Sequence, residues 1–106
     1  MIKKIVNLET ISAIASKLRA KSKTIVLCHG VFDLLHVGHI KHLKKAKSFG
    51  DKLVVTITAD KFVDKGPGKP IFNQKLRAEA IAALEMVDFV AINENATAIK
   101  PIKLIN

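Results

Sequence analysis

The sequence predicts an α/β fold built on a parallel sheet, and three observations predict it. Apolar runs of strand length at 24–28, 53–58 and 88–92 alternate with segments of helical apolar spacing roughly 10 to 15 residues long. The run Leu53-Val54-Val55-Thr56-Ile57-Thr58 is β-branched and apolar enough to be covered on both faces, as parallel strands are. Gly30 follows the first strand and a helical pattern follows Gly38, a strand–turn–helix order. With right-handed crossovers these units give a Rossmann-like, three-layer αβα structure.

The elements follow in order. Leu8, Ile11, Ile14, Ala15 and Leu18 recur at helical spacing, and Asn7 is placed to cap that helix, expected over 8–19. Lys21-Ser22-Lys23 is a polar break before the first strand at 24–28. The second helix, opened by His39, runs to about Phe49 and is stopped by Gly50. Residues 61–72 hold Gly66, Pro67, Gly68 and Pro70, which predict a loop without regular structure. Asn73 caps a third helix whose apolar stripe is Leu76, Ala80, Ala83, Leu84 and Val87. The third strand is expected at 88–92, and a further helix begins at Thr97.

With 106 residues the chain supports one domain, residues 1–106, with one modest core. A hydrophobic content of 49% excludes disorder, and no apolar run approaches the ~20 residues that span a bilayer. The single cysteine, Cys28, rules out an internal disulfide and suits a reducing compartment, so a cytoplasmic protein is expected. Cys28 lies within the apolar strand and reads as an inert thiol. The net charge of +9 favours anionic partners. Nucleic acid is not expected among them, since Trp and Tyr are absent and the five Phe form no stacking platform. Lys41, Lys44, Lys45 and Lys47 read as the solvated face of one helix.

The segment Gly30-Val31-Phe32-Asp33-Leu34-Leu35-His36-Val37-Gly38-His39 carries the chemistry. Gly30 permits a sharp turn that exposes backbone N–H groups, and the helix start near Gly38 adds unpaired donors and the positive end of the macrodipole. His36 and His39 are three residues apart and fall on one side of that first turn, where two imidazoles can donate hydrogen bonds to phosphate oxygens as charge develops. Asp33 is either a turn residue bonding nearby N–H groups or a catalytic assistant; a carboxylate beside phosphates would repel them, which favours the structural role. Lys65 and Lys69 flank the Gly-Pro loop, either as mobile charges over a triphosphate or as solubilising lysines. Arg77 sits in the first turn of the third helix, where a cation is disfavoured unless it meets an anion. His36, His39 and His42 rotate too far round a helix to converge on a metal ion, so no protein-held metal site is expected.

The ten-residue segment resembles the His-x-Gly-His signature of the nucleotidyltransferase superfamily, which includes cytidylyltransferases, heptose-phosphate adenylyltransferases and archaeal FAD synthetases. The resemblance implies that His36, His39 and Lys65 are catalytic and that Gly30, Val31, Phe32, Asp33, Gly38, Lys69 and Arg77 hold the nucleotide. His29 stands where heptose-phosphate adenylyltransferases usually have asparagine, and is expected to contact the substrate. Helix 8–19 before the first strand, and Arg77-Ala78-Glu79-Ala80-Ile81-Ala82-Ala83-Leu84-Glu85-Met86-Val87-Asp88, are most similar to that adenylyltransferase domain. The implied reaction transfers AMP from ATP, with Mg²⁺, to a sugar phosphate resembling heptose 1-phosphate, releasing pyrophosphate. Transfer from CTP to an alcohol phosphate such as glycerol 3-phosphate, and FAD-synthetase-like adenylyl transfer, stay open beside it. A non-enzymatic rival binds nucleotides or polyanions without turnover. The resemblance also implies that the chain is C-terminally truncated, lacking the last third of the usual domain. The first strand, central in that family, would then have an open edge, from which a homo-oligomer is expected.

Overall fold

In the computed structural model, which describes residues 3–63 and 71–94, three parallel strands lie in the order β1-β2-β3. The chain runs α1 (Leu8–Ala20), β1 (Ile25–Gly30), α2 (Val37–Lys47), β2 (Lys52–Thr58), a 3₁₀ turn (Asp60–Phe62), α3 (Gln74–Ala82) and β3 (Phe89–Asn93). The register pairs Ile25 with Lys52 through Gly30 with Ile57, and Val54 with Phe89 through Thr58 with Asn93.

Alternation along the strands divides the core between two faces. Leu53, Val55, Ile57 and Val90 pack with Leu43 and Ala46 of α2 and with Ala78 and Ile81 of α3. On the other face Val54 and Ala91 pack with Ile11 and Ala15 of α1. The result is the three-layer αβα arrangement that the alternating pattern predicts. Strand β2 is the centre of it: Leu53, Val55 and Ile57 are fully buried, each such side chain stabilising by roughly 1.5–3 kcal/mol. Among the described residues, no helix is long and apolar enough to cross a membrane.

Carboxylates tie the N-terminal ends of the strands. Asp51 accepts the Thr24 N–H at 2.8 Å, while Asp88 accepts from the Leu53 N–H at 2.7 Å and from Lys47 Nζ at 2.5 Å. The opposite, C-terminal ends are left to the loops that form the site. Beyond β3, the N-terminal segment adds a short parallel bridge, with Val6 N–H on Val90 O and Val90 N–H on Lys4 O, each at 2.9 Å. The sequence reading did not foresee this cover. Among the described residues, no strand pairs with the outer edge of β1.

Asn7 and Asn73 cap α1 and α3 as expected, accepting the N–H of Thr10 at 2.7 Å and of Leu76 at 2.9 Å. Other boundaries shift. Strand β1 continues through His29 and Gly30, and α2 starts at Val37 with His36, not His39, at its cap. Helix α3 ends at Ala82, and Leu76, Ala80 and Ala83 of the expected stripe are exposed, whereas Arg77, Ala78 and Ile81 are buried. Within α3 an apolar count selects the wrong face, because an arginine with enough partners outranks a leucine for an interior position, whereas Leu84 and Val87 of the same stripe, just past the helix, do pack in the core. The helix expected from Thr97 lies outside the described residues.

Candidate functional site

The loop leaving β1 is shaped by aromatic packing. Phe32 takes the left-handed region, φ 52°, which is uncommon for a bulky side chain and costs about 1–2 kcal/mol. Its ring packs on the core and lies on Gly30, where a Cβ would come within 2.9 Å of Phe32 Cε2, and it meets His39 in a T-shaped pair, centroids 5.7 Å apart. The sharp turn expected at Gly30 takes its left-handed residue two positions later, at Phe32. Gly30 supplies clearance for the ring.

His36 and His39 cap the helix that they open. His36 Nδ1 accepts the Gly38 N–H at 3.0 Å, and the His36 N–H points back at His39 Nδ1 at 3.3 Å, a reciprocal box built from two imidazoles. Their rings lie 4.0 Å apart. A Cβ on Gly38 would fall 2.7 Å from His36 Cε1, so only glycine lets the imidazole fold over the helix end. An accepting Nδ1 leaves the proton of each neutral ring on Nε2. Both imidazoles thus stand at the positive end of α2, where phosphate oxygens are favoured.

Asp33 and Arg77 hold this loop. The Asp33 carboxylate accepts the N–H groups of Ile71 at 2.8 Å and Phe72 at 2.9 Å, joining the loop to the chain that enters α3. This is a turn-clamping role across 39 residues, rather than one within its own turn. Arg77 differs from the expectation of an anion-binding cation. Its side chain is fully buried, with Nε on Phe72 O at 3.0 Å, one terminal nitrogen on Val31 O at 2.9 Å and the other on Asp60 Oδ1 at 2.6 Å. The anion it meets is Asp60, and a nucleotide phosphate is replaced in that role by protein. Asp60 was not singled out in the sequence; its place directly after β2, at the ligand end of the sheet, was the available signal. Beside this clamp an open apolar cleft of about 410 Å³ is lined by Leu34, Leu35, Phe72, Leu76 and Ala80.

His29, at the end of β1, places Nδ1 2.7 Å from Thr56 Oγ1 and Nε2 3.3 Å from Thr58 Oγ1. Partial burial holds its pKa below the ordinary histidine value, because it disfavours the charged ring. Burial likewise pushes the Cys28 thiol up, away from the reactive thiolate. Lys65 and Lys69 lie outside the described residues. Among the described residues, no three His, Cys, Asp or Glu are grouped to hold a metal ion. The two carboxylates nearest the loop, Asp33 and Asp60, are committed to protein N–H groups, so they do not fit a protein-held Mg²⁺.

A parallel αβα layer with a histidine-capped helix start at the C-terminal edge of its first strand defines a Rossmann-like α/β protein. The cytidylyltransferase-like family model matches residues 27–105, and the chain belongs to that family. It is 48% identical over 99 residues to the bifunctional protein HldE of Aliarcobacter butzleri and 44% identical over 104 residues to that of Geotalea uraniireducens. These matches cover 92% and 96% of this chain but 21% of each relative, so the chain spans about a fifth of their length. Among solved structures it is similar to the lipopolysaccharide core biosynthesis protein from Thermoplasma volcanium GSS1, with TM-score 0.70 and 36% identity. That match covers 78% of this chain and 68% of the other.

Proposed function

We propose that this chain is a single nucleotidyltransferase domain that transfers AMP from ATP to a sugar phosphate resembling heptose 1-phosphate, releasing pyrophosphate. The observation that carries the reading is the reciprocal cap of His36 and His39, which fixes both imidazoles at the start of α2. An oxygen of the acceptor's phosphate attacks the α-phosphorus. The bond from that phosphorus to the bridging oxygen breaks, and pyrophosphate departs with the electron pair. Phosphate is already ionised at neutral pH, so no strong general base is needed. His36 and His39 orient the triphosphate and offset charge growing on its oxygens, while the backbone of Gly30, Val31 and Phe32 sets the approach. The triphosphate would be taken up as its Mg²⁺ complex, in which the metal would offset part of the charge. We assign Lys65 and Lys69, which lie outside the described residues, as further cations for the triphosphate. The similarity to HldE proteins and to a lipopolysaccharide core biosynthesis protein supports a cytoplasmic role in building lipopolysaccharide sugars.

Pyrophosphate release tests this reading. ATP with heptose 1-phosphate is expected to release pyrophosphate, and CTP with glycerol 3-phosphate is not. Release only with CTP would establish the cytidylyltransferase alternative. Thermal stabilisation by ATP with no release under any acceptor would establish a binding fold without turnover. We further propose a homo-oligomer joined at the outer edge of β1, since half-buried apolar residues there flank N–H and C=O groups that no described strand pairs. Sedimentation is expected to give a mass above that of one chain; a monodisperse monomer would remove this assembly.

A further inference from the structure

The face of the sheet that carries α1 changes character toward its C-terminal end. Ile25, Leu27, Val54, Phe89 and Ala91 meet α1, and the next positions on the same face are His29, Thr56, Thr58 and Asn93. His29 is the register partner of Thr56, and Thr58 is that of Asn93. Three of these polar side chains form one unit. His29 Nδ1 sits 2.7 Å from the fully buried Thr56 hydroxyl, and Nε2 sits 3.3 Å from the partly exposed Thr58 hydroxyl.

The two contacts differ in kind. The Thr56 contact is short and buried, so it fixes the ring plane. The Thr58 contact is long, at a part-exposed hydroxyl beside an exposed ring, and an incoming polar group can replace or extend it at small cost. Both partners of the ring are neutral hydroxyls, each able to donate or accept. Partial burial also disfavours the charged imidazole. A neutral ring between hydroxyls offers dipoles rather than charge, and so matches a neutral oxygen. An anion is better served by the start of α2. His29 also directly precedes Gly30, at the strand ends where open parallel sheets bind ligands.

We propose that His29, Thr56 and Thr58 form a hydroxyl-reading subsite for the acceptor, with Thr58 Oγ1 and His29 Nε2 bonding one sugar hydroxyl and Thr56 setting the ring. This rests on the nucleotidyltransferase reading above and names the part of the acceptor that the chain reads: a ring hydroxyl, not its phosphate. Thr56 is a positioning residue, and Thr58 and His29 are specificity-determining ones.

The test compares Thr58→Val and His29→Leu with the wild-type chain in pyrophosphate release, using heptose 1-phosphate and its monodeoxy analogues. The wild type is expected to discriminate against one analogue by roughly 10-fold or more, and both variants to lose that discrimination through a raised acceptor KM. The KM for ATP and inhibition by inorganic phosphate should stay unchanged. Thr56→Val should give an intermediate effect on acceptor KM. Unchanged discrimination in both variants, with only a lower melting temperature, would reduce the triad to a cross-strand clamp and overturn the proposal. An equal weakening of inhibition by inorganic phosphate would also overturn it, since the triad would then be reading the phosphate. If the wild type releases no pyrophosphate, the failure belongs to the catalytic reading, and calorimetry of heptose 1-phosphate decides the subsite separately. Weaker binding by Thr58→Val than by wild type keeps it, and equal binding ends it.

Discussion

Replacing His39 with glutamine is expected to lower kcat by roughly 10² or more while the protein stays folded and still binds ATP. The size follows from what is lost. His39 Nε2–H is a donor held at the positive end of α2, and such a donor acts mostly on charge that appears only as the reaction proceeds. Glutamine is chosen because it serves at the third position of a capping box, so the His36 N–H keeps an acceptor while the imidazole donor disappears. His36→Asn is the matching change at the cap, asparagine being a strong N-cap residue. Alanine at either position removes cap and donor together, and adds a stability loss of about 0.5–2 kcal/mol at the cap. His42, exposed on the next turn, is the control, and His42→Ala should be nearly silent. Steady-state kinetics with a parallel melting curve decides the matter. A His39→Gln variant that turns over at the wild-type rate would remove this side chain from the mechanism.

Arg77→Met is expected to be the most destabilising single change on the ligand side of the sheet, by roughly 2–4 kcal/mol. Methionine fills much of the volume, so the loss reports on the guanidinium. Three acceptors lose their donors: Phe72 O, Val31 O and the Asp60 carboxylate. Asp60 retains 39% side-chain exposure, so water recovers part of its solvation and the loss falls short of that for a wholly buried pair. For a domain of this size the shift corresponds to a melting temperature lower by roughly 10 °C or more. Asp60→Asn should cost less, and the double variant should cost less than the two singles added together, because each single already breaks the shared contact. Urea unfolding of the four proteins measures this directly. A melting curve for Arg77→Met that overlays the wild type would show that the clamp does not hold the loop, and would return Arg77 to the anion-binding role its position suggests.

Both experiments bear on how much of the site was legible in the residues alone. The histidine pair was, since three-residue spacing at a helix start fixes their side. What each ring nitrogen bonds was not legible, because the cap begins one turn earlier than the apolar pattern suggests. Arg77 was noticed for the right reason, a cation where the helix dipole opposes it. The anion that answers it is Asp60, 17 residues away, and no spacing rule points there. Asp33 shows the same division: its preference for backbone N–H groups was readable, but its partners lie 38 and 39 residues on, at Ile71 and Phe72.

The sequence by itself determined what local chemistry controls. The order of strands and helices, the Asn7 and Asn73 caps, the covered central strand and the His-x-Gly-His helix start all arise from groups within a few residues of one another, where backbone geometry sets the distances. Only the tertiary structure decided which polar side chains meet. The parallel register of β1 on β2 sets His29 against Thr56, and the crossover through α3 brings Arg77 beneath Val31. Such contacts depend on where whole elements settle as their apolar faces are buried, and burial has no direction of its own. Side-chain identity therefore says that Arg77 and His29 need partners, and the packing of the sheet chooses them.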